Sequence, residues 1–174
     1  MLFRSGHGVL ASVLIGLRRY DEAIAASERA YELAPGDFVA INQVGQTLAF
    51  AGRYEEALPY LDLALRLSPK DPMIYWVYQS RSLALFGLER YEEMIAAAQR
   101  VSRQLPQWVD AHTMMAAGYA ALGKAEQATL SLGKAVTLDP RLTVRRVMRR
   151  QPMRDEAAAA RLSGFLRTAG LAEA

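Results

Sequence analysis

The residues that could do chemistry are few and stand apart from one another. The chain of 174 residues has no cysteine, which removes disulfides, zinc thiolates and cysteine nucleophiles. His7 and His112 have no histidine or carboxylate partner at the spacing that metal ligands need. Adjacent carboxylates such as Glu55 and Glu56 do not share a face of a helix, so they do not form an acid–base pair. We therefore predict that the protein is not an enzyme and uses no metal or cofactor.

Charge and hydropathy limit the partners. Residues 1–140 carry 13 basic and 15 acidic side chains, whereas residues 141–174 carry eight basic and three acidic ones. Only the last segment therefore has the charge that binds nucleic acid or an anionic membrane surface, and we expect neither as the main partner. No apolar stretch reaches the ~18 residues that cross a membrane, and no signal-peptide cleavage site follows residues 9–17. We expect a cytoplasmic protein.

The elements that position these residues repeat along the chain. A glycine, an aromatic residue, two acidic residues and a small residue recur from Gly16, Gly52 and Gly87, and more weakly from Gly123. A proline follows twelve residues after each small residue, or after Met94 in the third unit: Pro35, Pro69, Pro106 and Pro140. Successive prolines are 34, 37 and 34 residues apart. Since turn, small residue and stop signal recur together, the sequence predicts repeated helix pairs.

The physical chemistry of each unit supports two helices. Ala23, Ala57 and Ala128 are small enough for a close crossing, and acidic residues in the first turn of each second helix complement its dipole. Glycine allows a left-handed cap after each first helix, and proline ends each second helix. The predicted helices span roughly 5–17, 21–34, 38–51, 55–68, 72–87, 91–104, 108–122 and 126–138.

The third unit is three residues longer than the others. We expect these residues to lengthen its first helix; the alternative is a looser loop at residues 69–73. Asp37 and Asp71 are the expected N-caps, with Pro72 in the first helical position.

The pattern resembles the tetratricopeptide repeat, a helix–turn–helix unit. The second unit matches best, through Gly45, Leu48, Tyr54, Ala57, Leu61, Ala64, Leu67 and Pro69. The resemblance implies an all-α fold, an α-solenoid of four pairs over residues 5–140, with units at about 5–37, 38–71, 72–107 and 108–141. Residues 141–174 would add a basic helix and a C-terminal helical cap.

The resemblance also implies a partner-binding groove, which the first helix of each unit lines. The expected groove residues are Asn42, Gln46, Phe50, Trp76, Gln79, Leu83 and Thr113, with Asp110, Ala117 and Phe86 beside them. A neutral polar groove with aromatics suits a peptide or helix of a protein partner. Trp76 is either an anchor for that partner or a packing residue, and for Phe86 packing is favoured. The lysines Lys70, Lys124 and Lys134 lie off the first helices, which argues against the carboxylate clamp of chaperone-binding members.

The tail contains two predicted helices. The first, from Leu142 to Arg150, carries a basic patch formed by Arg145, Arg146, Arg149 and Arg150. We expect this patch to be a solvated face; the alternative is a binding site for acidic protein, lipid or nucleic acid. The second has an apolar stripe at Leu162, Phe165, Leu166 and Ala169. We expect it to cover the second helix of unit four, with Phe165 and Leu166 buried against Leu132 and Ala135 or their neighbours.

The tail has a resemblance of its own. It is similar to the end of the tetratricopeptide segments that follow bacterial class III adenylate/guanylate cyclase domains or winged-helix transcription regulators. The matching residues are Asp139, Pro140, Leu142, Thr143, Val144, Pro152, Arg154, Asp155, Phe165, Leu166, Arg167, Ala169, Gly170 and Leu171. The main hypothesis is a non-enzymatic protein-interaction scaffold. The alternative is the regulatory arm, or a fragment, of such a signalling protein.

Overall fold

The computed structural model describes the backbone of residues 2–174 and the side chains from residue 8 onward. His7 lies outside the described side chains. The regular elements of this part are ten helices: α1 Leu2–Gly16, α2 Tyr20–Leu33, α3 Phe38–Phe50, α4 Tyr54–Leu67, α5 Ile74–Gly87, α6 Tyr91–Gln104, α7 Val109–Ala121, α8 Ala125–Leu138, α9 Val144–Arg150 and α10 Glu156–Thr168. The all-α prediction is therefore confirmed.

The first eight helices form four antiparallel pairs that stack into a solenoid. Each first helix packs against its own second helix, and each following pair packs on the one before, so that α3 contacts α1 and α2, α5 contacts α3 and α4, and α7 contacts α5 and α6. The predicted small residues Ala23, Ala57 and Ala128 are all buried. At Gly45 an added Cβ would lie 2.6 Å from Leu61 Cδ2, which shows how closely the helices of unit two cross.

The turns inside the units depart from the prediction in one respect. Each contains a residue in the left-handed region, and these residues are Arg18, Gly52, Glu89 and Gly123. Gly16 and Gly87 were expected to fill this role and do not, since the left-handed residue stands two positions later. Gly87 is needed for another reason, because a Cβ there would overlap the ring of Tyr54. The glycine at this position thus allows close packing of α5 on α4.

The longer third unit places most of its extra length in the connection. Pro69 precedes α5 by five residues, whereas Pro35 precedes α3 by three, and α5 has 14 residues against 13 in α3. One of the three extra residues lengthens the first helix and two lengthen the connection before it, so the prediction of a longer helix is wrong for those two. Asp37 caps α3 by accepting a hydrogen bond from the Ala40 amide at 3.0 Å. Asp71 instead accepts one from the Met73 amide at 2.7 Å, which forms a turn and leaves Pro72 outside the helix.

The tail folds as two helices, but its position differs from the predicted one. Thr143 caps α9 and Asp155 caps α10, each by accepting a backbone hydrogen bond three residues ahead. The main neighbours of α10 are α7 and α9 rather than α8. The prediction that this helix covers the second helix of unit four is therefore wrong, although Leu166 is fully buried as expected. The tail turns back along the solenoid because the aromatic rings of unit three receive Phe165 there.

Candidate functional site

The predicted groove residues lie on α3, α5 and α7. Following the prediction, we name the side of the solenoid formed by the first helices the concave face. The structure divides the predicted residues by exposure. Asn42, Leu83 and Thr113 are buried, and the hydroxyl of Thr113 donates to the Val109 carbonyl at 2.6 Å. Trp76 stays exposed at 36%. The half-buried remainder is Gln46, Phe50, Gln79 and Asp110. The predicted groove residues therefore differ widely in how far they are exposed.

The C-terminal tail closes the half of this face nearest the turns. Gln151, between α9 and α10, is buried and faces the same small space as Gln46, Phe50, Gln79 and Leu83. Between them remains a cavity of about 20 Å³, which is about the space of one water molecule. We name this half of the concave face the turn half.

Polar contacts fix the tail segment that follows Gln151. The Tyr20 hydroxyl donates to the Pro152 carbonyl at 3.0 Å, and the Arg154 amide donates to the Phe50 carbonyl at 2.9 Å. The Arg154 guanidinium also pairs with Asp21 at 2.6 Å. These contacts join the tail to units one and two, more than 100 residues earlier in the chain.

The helix α10 continues along the turns of units two and three. The Tyr54 hydroxyl lies 3.2 Å from Asp155 Oδ2, and Arg161 donates to the Gly87 carbonyl at 3.3 Å. Burial, and after it the Asp155 carboxylate, raises the pKa of the Tyr54 phenol well above its ordinary value. The Tyr54 phenol therefore stays protonated and able to donate to Asp155.

Aromatic packing completes the docking of α10. The ring of Phe165 stands edge-on to Phe86 and Tyr91, with centroids 6.5 and 5.7 Å away. Phe86 is fully buried, so it packs within the protein and does not face a partner. The side chains of Leu162 and Leu166 are also fully buried. The turn half is therefore part of the hydrophobic core.

The basic patch of α9 is partly neutralised within the chain. Arg150 donates to Asp139 Oδ2 at 2.8 Å and lies 3.8 Å from Asp110 Oδ1, and Arg146 is 4.0 Å from Asp139. The hydrogen bond from Arg150 lowers the pKa of Asp139, whereas burial raises the pKa of Asp110 against the opposing charge of Arg150. The other two arginines, Arg145 and Arg149, are exposed.

The second half of the concave face is open. A pocket of about 330 Å³ lies between α1, α3 and the start of α5, and its lining includes Ser12, Val39, Gln43 and Trp76. The hydroxyl of Ser12 is 3.5 Å from Gln43 Oε1, and the Gln43 amide in turn faces Gln46 Oε1 at 3.4 Å. We name this pocket the open half.

Sequence reasoning found Trp76 in the open half but missed Ser12, Val39 and Gln43. Val39 and Trp76 occupy the same position of successive units when the units are aligned on their left-handed turn residues. That internal alignment could have identified Val39. The covering of the turn half by the tail was harder to predict, because no sequence pattern in the tail indicates which surface it packs on.

The described side chains contain no cluster that could hold a metal ion. His112 is buried, with its Nε2 2.8 Å from the Pro106 carbonyl oxygen. His112 is thus a packed residue of α7. Among the described residues no helix is long and apolar enough to span a membrane.

Comparisons with known proteins agree with this geometry. Residues 14–76 match the family model of the tetratricopeptide repeat. Over this stretch the chain carries tetratricopeptide repeats. It is 31% identical over 96 residues to the Hsp70-Hsp90 organizing protein of Triticum aestivum, and 32% identical over 124 residues to the TPR repeat-containing thioredoxin TTL4 of Arabidopsis thaliana. These matches cover 55% and 71% of this chain but only 16% of each relative.

Solved structures share the fold over nearly the whole chain. A TPR protein of Thermus thermophilus, TTC0263, aligns with a TM-score of 0.71 and 21% identity over 94% of this chain and 99% of its own. The type IV pilus biogenesis factor PilW aligns with a TM-score of 0.73 and 20% identity over 95% of this chain and 73% of its own. At these identities the likeness is one of fold. The similarity of the tail to cyclase-associated segments stays a prediction.

Proposed function

We propose that the protein is a non-enzymatic interaction scaffold whose open half binds an extended or helical segment of a protein partner. The observation that supports this function is the pocket of about 330 Å³ in which Trp76 stays exposed beside polar side chains. Exposed tryptophan in a concave site is a frequent anchor of protein interfaces. The tail already fills the turn half, so the partner is expected to use Trp76 rather than Phe50 or Leu83.

The chemistry of the open half specifies the kind of segment that fits. Val39 and Trp76 offer an apolar surface, and Ser12 offers an exposed hydroxyl. Gln43 is buried behind that hydroxyl, with its amide nitrogen bonded to Gln46 and Thr47. An apolar side chain would rest on Trp76, and a main-chain N–H of the segment would donate to the Ser12 hydroxyl. We therefore expect a partner segment that combines one or two large apolar side chains with accessible backbone groups.

Charge separates this site from a carboxylate clamp. Neither lysine nor arginine lines the described open half, and its ionisable residue is Asp37. Of the lysines, Lys70 lies in the connection before α5, and Lys124 and Lys134 belong to the cap and body of α8. The wheat relative is named for chaperones, but this pocket lacks the cations that a terminal carboxylate requires. A neutral or basic internal segment fits better.

Peptide display tests the proposal directly. A library of random 12-residue peptides is selected on the full chain and counter-selected on Trp76→Ala, and the retained peptides are titrated by calorimetry. Loss of an anchoring tryptophan is expected to weaken binding by about 2 kcal/mol or more, which is at least roughly 30-fold. Trp76 is 36% exposed and its ring stands edge-on to Tyr75, so the substitution should also lower the melting temperature by a few degrees, and the titrations are made well below it.

The matched control is Leu67→Ala, which removes an exposed apolar side chain of α4 outside both halves. It should leave the affinity for the selected peptides unaltered. Peptides that bind the wild type and Trp76→Ala equally well would contradict the proposed site.

A further inference from the structure

The first unit exposes a face that every later unit covers. When the units are aligned on Arg18, Gly52, Glu89 and Gly123, the stripe Leu10, Val13 and Leu17 of α1 corresponds to residues that are buried or half-buried in the later units: Val44, Thr47 and Ala51, then Arg81, Ala84 and Leu88, then Met115, Gly118 and Leu122. In α1 the three side chains are exposed at 46%, 52% and 60%. We name this stripe the leading face.

The internal junctions show what this face receives. In unit four an added Cβ at Gly118, the counterpart of Val13, would lie 2.7 Å from Ile95 Cγ1 on the preceding second helix. In unit three Arg81, the counterpart of Leu10, pairs with Asp62 of the preceding second helix at 3.1 Å. In the later units, the residues that correspond to the leading face therefore contact the second helix of the preceding unit.

The opposite end of the solenoid exposes the complementary surface. The counterparts of Ile95 and Asp62 in α8 are Thr129 and Gly133, and both are exposed, as is Val136 one turn further. They are accessible because α10 packs against α7 and α9 rather than against α8. We name Thr129, Gly133 and Val136 the trailing face.

The two faces complement each other in size, and neither contains an ionisable side chain. Where the internal junction places Ile95 against Gly118, the ends offer the small Thr129 and the larger Val13. At the position where the internal junction pairs Asp62 with Arg81, the two ends of the solenoid have Gly133 and Leu10. None of the six residues is ionisable, so stacking them would bury apolar surface without desolvating a charge.

We propose that the leading face of one chain docks on the trailing face of a second copy, so that copies associate end to end through α1 and α8. A head-to-tail contact of this kind leaves one face free at each end, and assembly therefore grows with concentration. The proposal does not depend on a partner in the open half, because the two sites share none of these six residues.

Sedimentation of two end-blocked variants tests the proposal. Val13→Glu blocks the leading face, and Gly133→Glu blocks the trailing face; both positions are exposed, and nothing lies within 4 Å of a Cβ at Gly133. The wild type should increase in average mass over a 100-fold concentration range. Each variant alone should remain at the monomer mass of 19.2 kDa, with association at least about tenfold weaker.

Mixing the two variants identifies the mode of contact. Val13→Glu retains a trailing face and Gly133→Glu retains a leading face, so the mixture should form a dimer of twice the monomer mass and grow no further. Leu67→Glu, exposed but on neither face, should associate like the wild type. A monomeric wild type at all concentrations, self-association of either variant alone, or a monomeric mixture would each overturn the proposal.

Discussion

The two halves of the concave face are both lined by first helices, yet one is core and the other is surface. In the turn half, Leu83 and Phe86 are buried beneath Gln151 and α10. In the open half, Val39 and Trp76 remain accessible. The difference arises from a distant segment of chain and not from the first helices themselves. A groove inferred from repeat positions alone is therefore only an upper limit on the surface that a partner can reach.

Removing the tail should have the largest effect on this contrast. Residues 151–174 contribute four large buried side chains, Met153, Leu162, Leu166 and Leu171, each worth about 1.5–3 kcal/mol of apolar burial. Deleting residues 151–174 should lower the melting temperature by more than about 10 °C, measured by circular dichroism. The newly exposed turn half should also bind an apolar fluorescent dye. An unchanged melting temperature would mean that the tail is not part of the core.

A single substitution inside the tail should reproduce part of that loss. Leu162 is fully buried on α10, so Leu162→Ala should destabilise the protein by about 2–5 kcal/mol. Leu67→Ala, at a position 52% exposed, should change stability by less than about 0.5 kcal/mol. Urea unfolding of both variants measures the difference. Equal midpoints for the two would show that α10 is not docked as described.

The two glycines on either side of the tail contact should respond in opposite directions. A Cβ at Gly87 would overlap the Tyr54 ring, so Gly87→Ala should destabilise the turn half by about 1–3 kcal/mol. Gly164 lies within α10 with nothing within 4 Å of its added Cβ, so Gly164→Ala should stabilise the protein by up to about 1 kcal/mol. Chemical unfolding compares them. A stabilised Gly87→Ala would contradict the close packing of α5 on α4.

Much of the solenoid could be predicted because its signals are local and repeated. The small residues at Ala57 and its counterparts, the acidic first turns and the prolines each act within one unit, and the bounds of α2 to α8 agree with the prediction to within two residues. The left-handed residues Arg18 and Glu89 could not be predicted from glycine alone, since the geometry of the turn outweighs the modest cost of that backbone region there.

The site was harder to predict because its accessibility depends on contacts between distant segments. The stripe of α10 correctly indicated a buried helix, but an apolar stripe does not specify its partner. The surface that α10 covers is set by polar contacts of the tail with Tyr20, Tyr54 and Gly87. The two residues in each contact lie 74 to 132 positions apart in the chain. Sequence periodicity contains no information about such pairs.

The smallest expected effect concerns the hydrogen bond between Tyr54 and Asp155. Replacing Tyr54 with phenylalanine keeps the ring on Gly87 and removes the donor, which should cost about 1 kcal/mol at neutral pH. Burial and the Asp155 carboxylate raise the pKa of the folded phenol, while the unfolded phenol titrates near 10. The unfolded chain therefore releases the proton first, and the stabilisation is complete below about pH 10 and declines as the pH rises further. Urea unfolding at about pH 8 and about pH 11 should show the stability advantage of the wild type over Tyr54→Phe shrinking at the higher pH. A constant difference across that range would place the Tyr54 hydroxyl in solvent and separate unit two from the tail.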